Sequence, residues 1–149
     1  MKTLFDDAAY AELQDRIAGL SASSQREWGK MSPSQAVEHC ARALEVATGR
    51  TEMKQALIGK LIAWAVKKKY IGEAPMPKNS PTGPTLIVTE EPDFDTARLR
   101  LSELMNDFYV RGESGADGRV HAFFGKLNGR EWGELQYKHV DHHLKQFGV

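Results

Sequence analysis

Residues 139–143 read His-Val-Asp-His-His, with His139 and His143 four positions apart. On an α-helix, at about 100° per residue, that spacing leaves both imidazoles on one face a turn apart, which suits a shared metal ion. Trp132, Leu135, Gln136 and Gln146 fall on the same face, with Val140 and Phe147 beside it, so the face is partly apolar and points inward. Imidazoles turned into an interior carry unsatisfied nitrogen and a protonation liability, and metal coordination removes both. The spacing alone suits core or surface histidines equally well. His142 lies about a sixth of a turn off the face and belongs at its rim, as a neighbour of the ligands.

A metal site needs a third ligand, and one candidate is His39, on a face with Gln35, Ala36, Ala43, Val46 and Ala47 whose small residues permit close approach. A lone histidine on an alanine-rich face is more often a packed, hydrogen-bonded core residue, so the residues alone leave both roles open. Three neutral imidazoles without a further strong ligand would leave positions for water or substrate, as catalytic zinc sites do. Cys40 points about 100° away from His39 and is a second-choice thiolate ligand. His121, before Phe123 and Phe124 in a stretch read as loop, suits a hydrogen-bonding or lid role, with a ligand role open. Other chemistries lack their patterns. There is no His-Glu-x-x-His, no Glu-x-x-His repeated on two helices, no glycine-rich phosphate loop and no serine nucleophile elbow.

The elements that must position these histidines are helical. Leu4, Ala8, Leu13, Ile17 and Leu20 predict a first helix over about residues 3–20, with Asp6 and Asp7 in its first turn. Ser32, Pro33, Ser34 and Gln35 form a capping-box pattern opening a second helix that Gly49 stops. A third is predicted over about 53–70, ending in Lys67, Lys68 and Lys69. Five of the six prolines lie between Ile71 and Pro92, which excludes a helix there and predicts a long extended connection. Asp93 opens a helix to about Arg111, ended by the glycine-rich GESGADG. Asn128 with Glu131 caps a last helix over about 129–147, and the two histidine-bearing helices are preceded by similar strings, WGKMSPSQ and FGKLNGRE. Nothing in the pattern predicts a sheet, and the fold class is all-α.

With 149 residues, one domain is expected. Twenty Lys plus Arg balance twenty Asp plus Glu, so no global charge draws the chain to nucleic acid or anionic lipid. Cys40 is the only cysteine, which excludes an intramolecular disulfide and suits a reducing compartment. The most apolar run, Ala56 to Val66, is broken by Lys60 and too short to span a bilayer, so a soluble, cytoplasmic protein is expected.

WGKMSPSQAVEHC, KKKYIGEAPMPKNSPTGP and HAFFGKLNGREWGELQYKHVDHHLKQFGV together resemble an uncharacterised, domain-of-unknown-function branch of the DinB/YfiT-like superfamily, over nearly the whole chain. The most specific part is the last helix, where His-x-x-x-His followed by Gln three residues later matches His139, His143 and Gln146. The resemblance implies an up-down four-helix bundle, here with an additional helix and the proline-rich connection, and maps the superfamily's third ligand onto His39. It further implies a divalent ion, nickel or zinc, a homodimer in many members, and activation of a low-molecular-weight thiol in characterised relatives. Gln146, His142 and Gln35 are the residues expected to support the ligands. The function expected is thus metal-dependent activation of water or a thiol on a small-molecule substrate; the alternative is a non-catalytic interaction or stress-response module. Metal affinity is expected to fall as pH drops through about 6.5, where imidazole protonates.

Overall fold

The computed structural model describes residues 1–57, 59, 63, 67 and 70–149. Four α-helices are delimited among the described residues: α1 (Asp7–Gly19), α2 (Pro33–Thr48), α3 (Phe94–Ala116) and α4 (Gly129–Gln146). A short antiparallel ladder pairs β1 (Val120–His121) with β2 (Gly125–Lys126), in the register Val120 to Lys126 and His121 to Gly125. The fold is all-α and bundle-like. Half of the helix predicted over 53–70, including Trp64, Lys68 and Lys69, lies outside the described residues.

Local chemistry explains where the helices begin. The Ser32 hydroxyl accepts from the Gln35 N–H while the Gln35 side chain accepts from the Ser32 N–H, and Asn128 and Glu131 make the same reciprocal pair at the start of α4. Both capping boxes satisfy N–H groups that a helix start leaves without partners. Gly49 closes α2 in the left-handed conformation, φ 75°, as the sequence stop required.

Two boundaries and one element differ from expectation. Helix α1 begins at Asp7, because Thr3 and Asp6 form a turn in which the Thr3 N–H donates to Asp6 Oδ2 and the Asp6 N–H to the Thr3 carbonyl. The Leu4 N–H donates to the Gly133 carbonyl on α4, drawing the fully buried Leu4 into the core ahead of the helix. Helix α3 continues past Arg111, bending at Gly112 and resuming to bury Ala116. The β-ladder was not expected from the pattern. Its strands are two residues each, too short for any period, and a side chain closes the turn between them: His121 Nδ1 accepts the N–H groups of Phe123 and Phe124 at 3.2 and 3.3 Å.

The core runs through all four helices. Leu13 and Ile17 of α1, Leu44 of α2, Leu101, Leu104, Met105 and Phe108 of α3, and Trp132 and Val140 of α4 are all essentially inaccessible. Helix α2 lies along α3, with its alanines at buried positions, and α4 packs on α1, α2 and α3. That places the inner face of α2 opposite that of α4.

The proline-rich connection is tied back onto α2. Pro84–Leu86 forms a single 3-10 turn, Gln35 Nε2 donates to the Glu90 carbonyl at 3.1 Å, Arg42 donates to the Ile87 carbonyl at 2.8 Å and pairs with Glu90, and Ser32 Oγ donates to Glu91 at 2.6 Å. No helix of the described residues is long and apolar enough to cross a membrane.

Candidate metal centre

Helix α2 delivers His39 and helix α4 delivers His139 and His143 to one point. The ring centroids stand 4.8 Å apart for His39 and His139, 4.9 Å for His39 and His143, and 5.0 Å for His139 and His143. One nitrogen from each lies within 4.8 Å of the others, a group that could hold a metal ion. His39 is 3% exposed, whereas His139 and His143 keep partial access to solvent.

Which nitrogens face inward follows from what holds the outer ones. His39 Nδ1 is 2.8 Å from the Leu86 carbonyl, which can only accept, so Nδ1 carries the proton and Nε2 the lone pair. Gln146 settles His143 in the same way. Its Nε2 donates to the Trp28 carbonyl at 2.8 Å, which leaves Oε1 to accept from His143 Nδ1 at 3.0 Å and makes His143 Nε2 a lone pair too. An acceptor on the far nitrogen is the arrangement metal-ligating histidines use to fix tautomer and ring orientation.

The inward nitrogens fit an ion. His39 Nε2 and His139 Nε2 are 2.9 Å apart. Two lone pairs do not approach so closely, so the contact is either an N–H···N bond donated by His139 or a pair of nitrogens sharing one cation. Imidazoles bound at about 2.1 Å place their nitrogens about 3.0 Å apart at a right angle and about 3.4 Å apart in a tetrahedron, so the spacing of this pair is near that of two ligands on one ion.

Burial keeps the cluster neutral, as ligands must be. It lowers the pKa of His39 against the opposing effect of the Leu86 hydrogen bond, with the Arg42 charge adding to the lowering. It holds His139 well below the ordinary imidazole range, helped by His39 and His143, and pushes His143 down to about 3.

The supporting residues divide. Gln146, 4% exposed, bonds His143 directly. His142 meets the ring of His143 edge-on at 5.2 Å and that of Trp28 at 5.8 Å, so the rim residue does touch the cluster. Gln35 touches none of the three histidines by hydrogen bond; both ends of its amide serve the α2 cap and the Glu90 carbonyl, and it acts on the connection that carries Leu86. His121 stands outside the group, stacked on Phe124 at 4.5 Å with its pKa pushed down to about 4 by burial. Cys40 is 2% exposed among apolar side chains, and burial pushes its thiol pKa up, against a thiolate.

Sequence reasoning missed three contributors. Leu86 and Trp28 act through backbone carbonyls, and a carbonyl leaves no trace in residue identity. Gly29 is the third. With φ 81° it adopts a conformation that favours glycine, and a Cβ there would stand 2.3 Å from Gln146 Nε2, in the path of the amide that orients His143. Gln136, three residues before His139 on the face the spacing had marked, is 2% exposed, and its Oε1 has no hydrogen-bond partner among the described residues.

No curated protein and no solved structure matches the chain. One family model does, over residues 5–148, described as a protein of unknown function, DUF1569. The match takes in both capped helices, the connection and all three clustered histidines, and the chain belongs to the DUF1569 family.

Proposed function

We propose that His39, His139 and His143 hold one divalent metal ion on a DinB/YfiT-like bundle forming a single domain, and that the chain is a metal-dependent enzyme activating water or a low-molecular-weight thiol. The observation that carries this reading is the pairing of inward lone pairs with outward acceptors: Leu86 and Gln146 each hold an Nδ1 proton, leaving Nε2 of His39 and His143 as lone pairs in a cluster with His139. Imidazole donors suit nickel or zinc, and three of them leave coordination positions open. When bound, the ion supplies Lewis acidity that lowers the pKa of a water or thiol.

The chain's own residues do the rest. Gln146 and the Leu86 carbonyl keep the rings aimed, His139 and His143 are not fully buried, and Gln136 offers an unfilled acceptor on the same helical face. The competing reading is a non-catalytic interaction module, and one observation favours it: the 2.9 Å contact between His39 and His139 can satisfy both nitrogens as a hydrogen bond without an ion.

Thiol-transfer assays over several low-molecular-weight thiols, with nickel- or zinc-reconstituted and chelated protein, separate the two. Turnover that disappears on chelation and in His139→Ala establishes the enzyme. A stoichiometrically loaded protein inert toward every thiol, and toward ester and amide hydrolysis, leaves the module.

A further inference from the structure

Helix α4 has a second face that the imidazole cluster does not use. Lys138, Asp141, His142 and Lys145 line an open cavity of about 410 Å³, bordered also by Trp28 and the segment from Gly72 to Lys78. That volume lies within the range of small-molecule sites.

Its charges do not balance. Of the four lysines that line it, Lys2 pairs with Glu12, and Lys145 is 2.8 Å from Asp141, which Arg16 also holds at 2.8 Å. Lys138 is only 7% exposed, and its ammonium donates to the Gly72 carbonyl at 2.9 Å. Among the described residues no carboxylate makes a salt bridge with it; Glu134, one turn earlier, acts on it only through space and is itself 3.1 Å from Arg130. An ammonium carries three donors, so this charge at a cavity wall, with one bond to a carbonyl, keeps donors to spare for an anion. Lys78 stands over the Trp28 ring at 4.0 Å, again with no carboxylate partner among the described residues. The lining's one carboxylate without a cation partner there is the exposed Glu73.

We propose that this cavity binds a small organic anion, its carboxylate or phosphate group against Lys138 and Lys78 and its apolar part against Trp28 and Met76. The site needs no metal, so it stands or falls apart from the metal reading. His142 joins the two places: it lines the cavity together with Met76 and meets the His143 ring edge-on, so a bound anion would sit beside the imidazole cluster.

The test is an NMR titration of the ¹⁵N-labelled full chain, chelated and then metal-reconstituted, with phenylacetate, phenyl phosphate and the neutral 2-phenylethanol. Saturable shifts are expected for the amides of Gly72, Met76, Lys138 and His142, with a Kd of about 1 mM or below for at least one anion and no saturation by the alcohol. Which anion binds distinguishes a carboxylate from a phosphate ligand. Lys138→Gln and Lys78→Gln should each weaken binding by about tenfold and Glu73→Gln should tighten it, with the effect screened by salt. Absence of saturation by both anions, equal binding of the alcohol, or binding unchanged in both lysine variants overturns the proposal. Lys78 and Glu73 are exposed, so those variants decide the matter even if Lys138→Gln fails to fold.

Discussion

Gln146 holds His143 by one end of its amide and the backbone by the other: Oε1 accepts from His143 Nδ1 at 3.0 Å while Nε2 donates to the Trp28 carbonyl at 2.8 Å. An amide clamped at both ends fixes a ring more firmly than a free one. Gln146→Ala is therefore expected to lower metal affinity about 10- to 100-fold, the usual cost of losing such a partner, with helix content unchanged. Gly29→Ala should act in the same direction by displacing that amide. Competition against a chromophoric chelator measures both, and unchanged affinity in Gln146→Ala would show that the clamp serves the fold alone.

The same burial that keeps the imidazoles neutral sets a pH dependence on the metal-free protein. Its histidines have folded-state pKa values below the ordinary 6.5, so the unfolded chain takes up their protons first as pH falls. Stability is then fully present above about pH 6.5 and is lost progressively toward the folded value, about 3 for His143. Each such histidine contributes a slope of up to about 1.4 kcal/mol per pH unit. Urea unfolding between pH 7.5 and 4.5, with concentrations chosen for each pH, should show the decline, and His143→Gln should flatten it; parallel curves for the two proteins would contradict the burial argument. Metal affinity is expected to move with the same groups. The sequence alone placed its decline at an ordinary imidazole pKa, whereas the depressed values place it at lower pH.

Arg42 and Gln35 bind the connection that carries Leu86, the acceptor for His39. In an Arg42→Gln, Gln35→Ala double variant the 84–91 segment should exchange its amide hydrogens faster and be nicked sooner by protease, while α3 remains protected. Metal affinity should fall several-fold, because His39 loses the group that fixes its tautomer. Unchanged exchange at Ile87 and Val88 would rule out this tether.

Cys40 lies in the core with its thiol pKa raised, so a thiol reagent should not modify native protein and should react fully once urea unfolds it. Rapid labelling under native conditions would mean that α2 opens locally or that Cys40 is reachable from the imidazole cluster.

Much of this was legible in residue types and spacings. Ser32 with Gln35 and Asn128 with Glu131 marked the two helix starts that matter, because a capping box is a local arrangement written in four residues. His139 and His143 were legible as a pair because a helix converts a spacing of four into proximity. His39 was one candidate among its residues and became the third ligand only through the resemblance, since its meeting with them depends on how α2 packs against α4. The boundaries that moved did so for tertiary reasons: Leu4 is drawn onto Gly133, and Ala116 is buried beyond the bend at Gly112. The supporting shell was half visible. Gln146 is a side chain three residues after a ligand, whereas the Leu86 and Trp28 carbonyls belong to every residue type and are placed only by the folded chain.

Metal analysis of untagged protein, reconstituted with nickel or zinc and desalted, tests the three-histidine centre most directly. One equivalent of tightly held ion in the wild type is expected, with loss of that ion in His39→Ala, His139→Ala and His143→Ala and its retention in His121→Ala, whose ring lies outside the cluster. A wild-type protein that stays empty after reconstitution, or an ion retained by all three ligand variants, would contradict it.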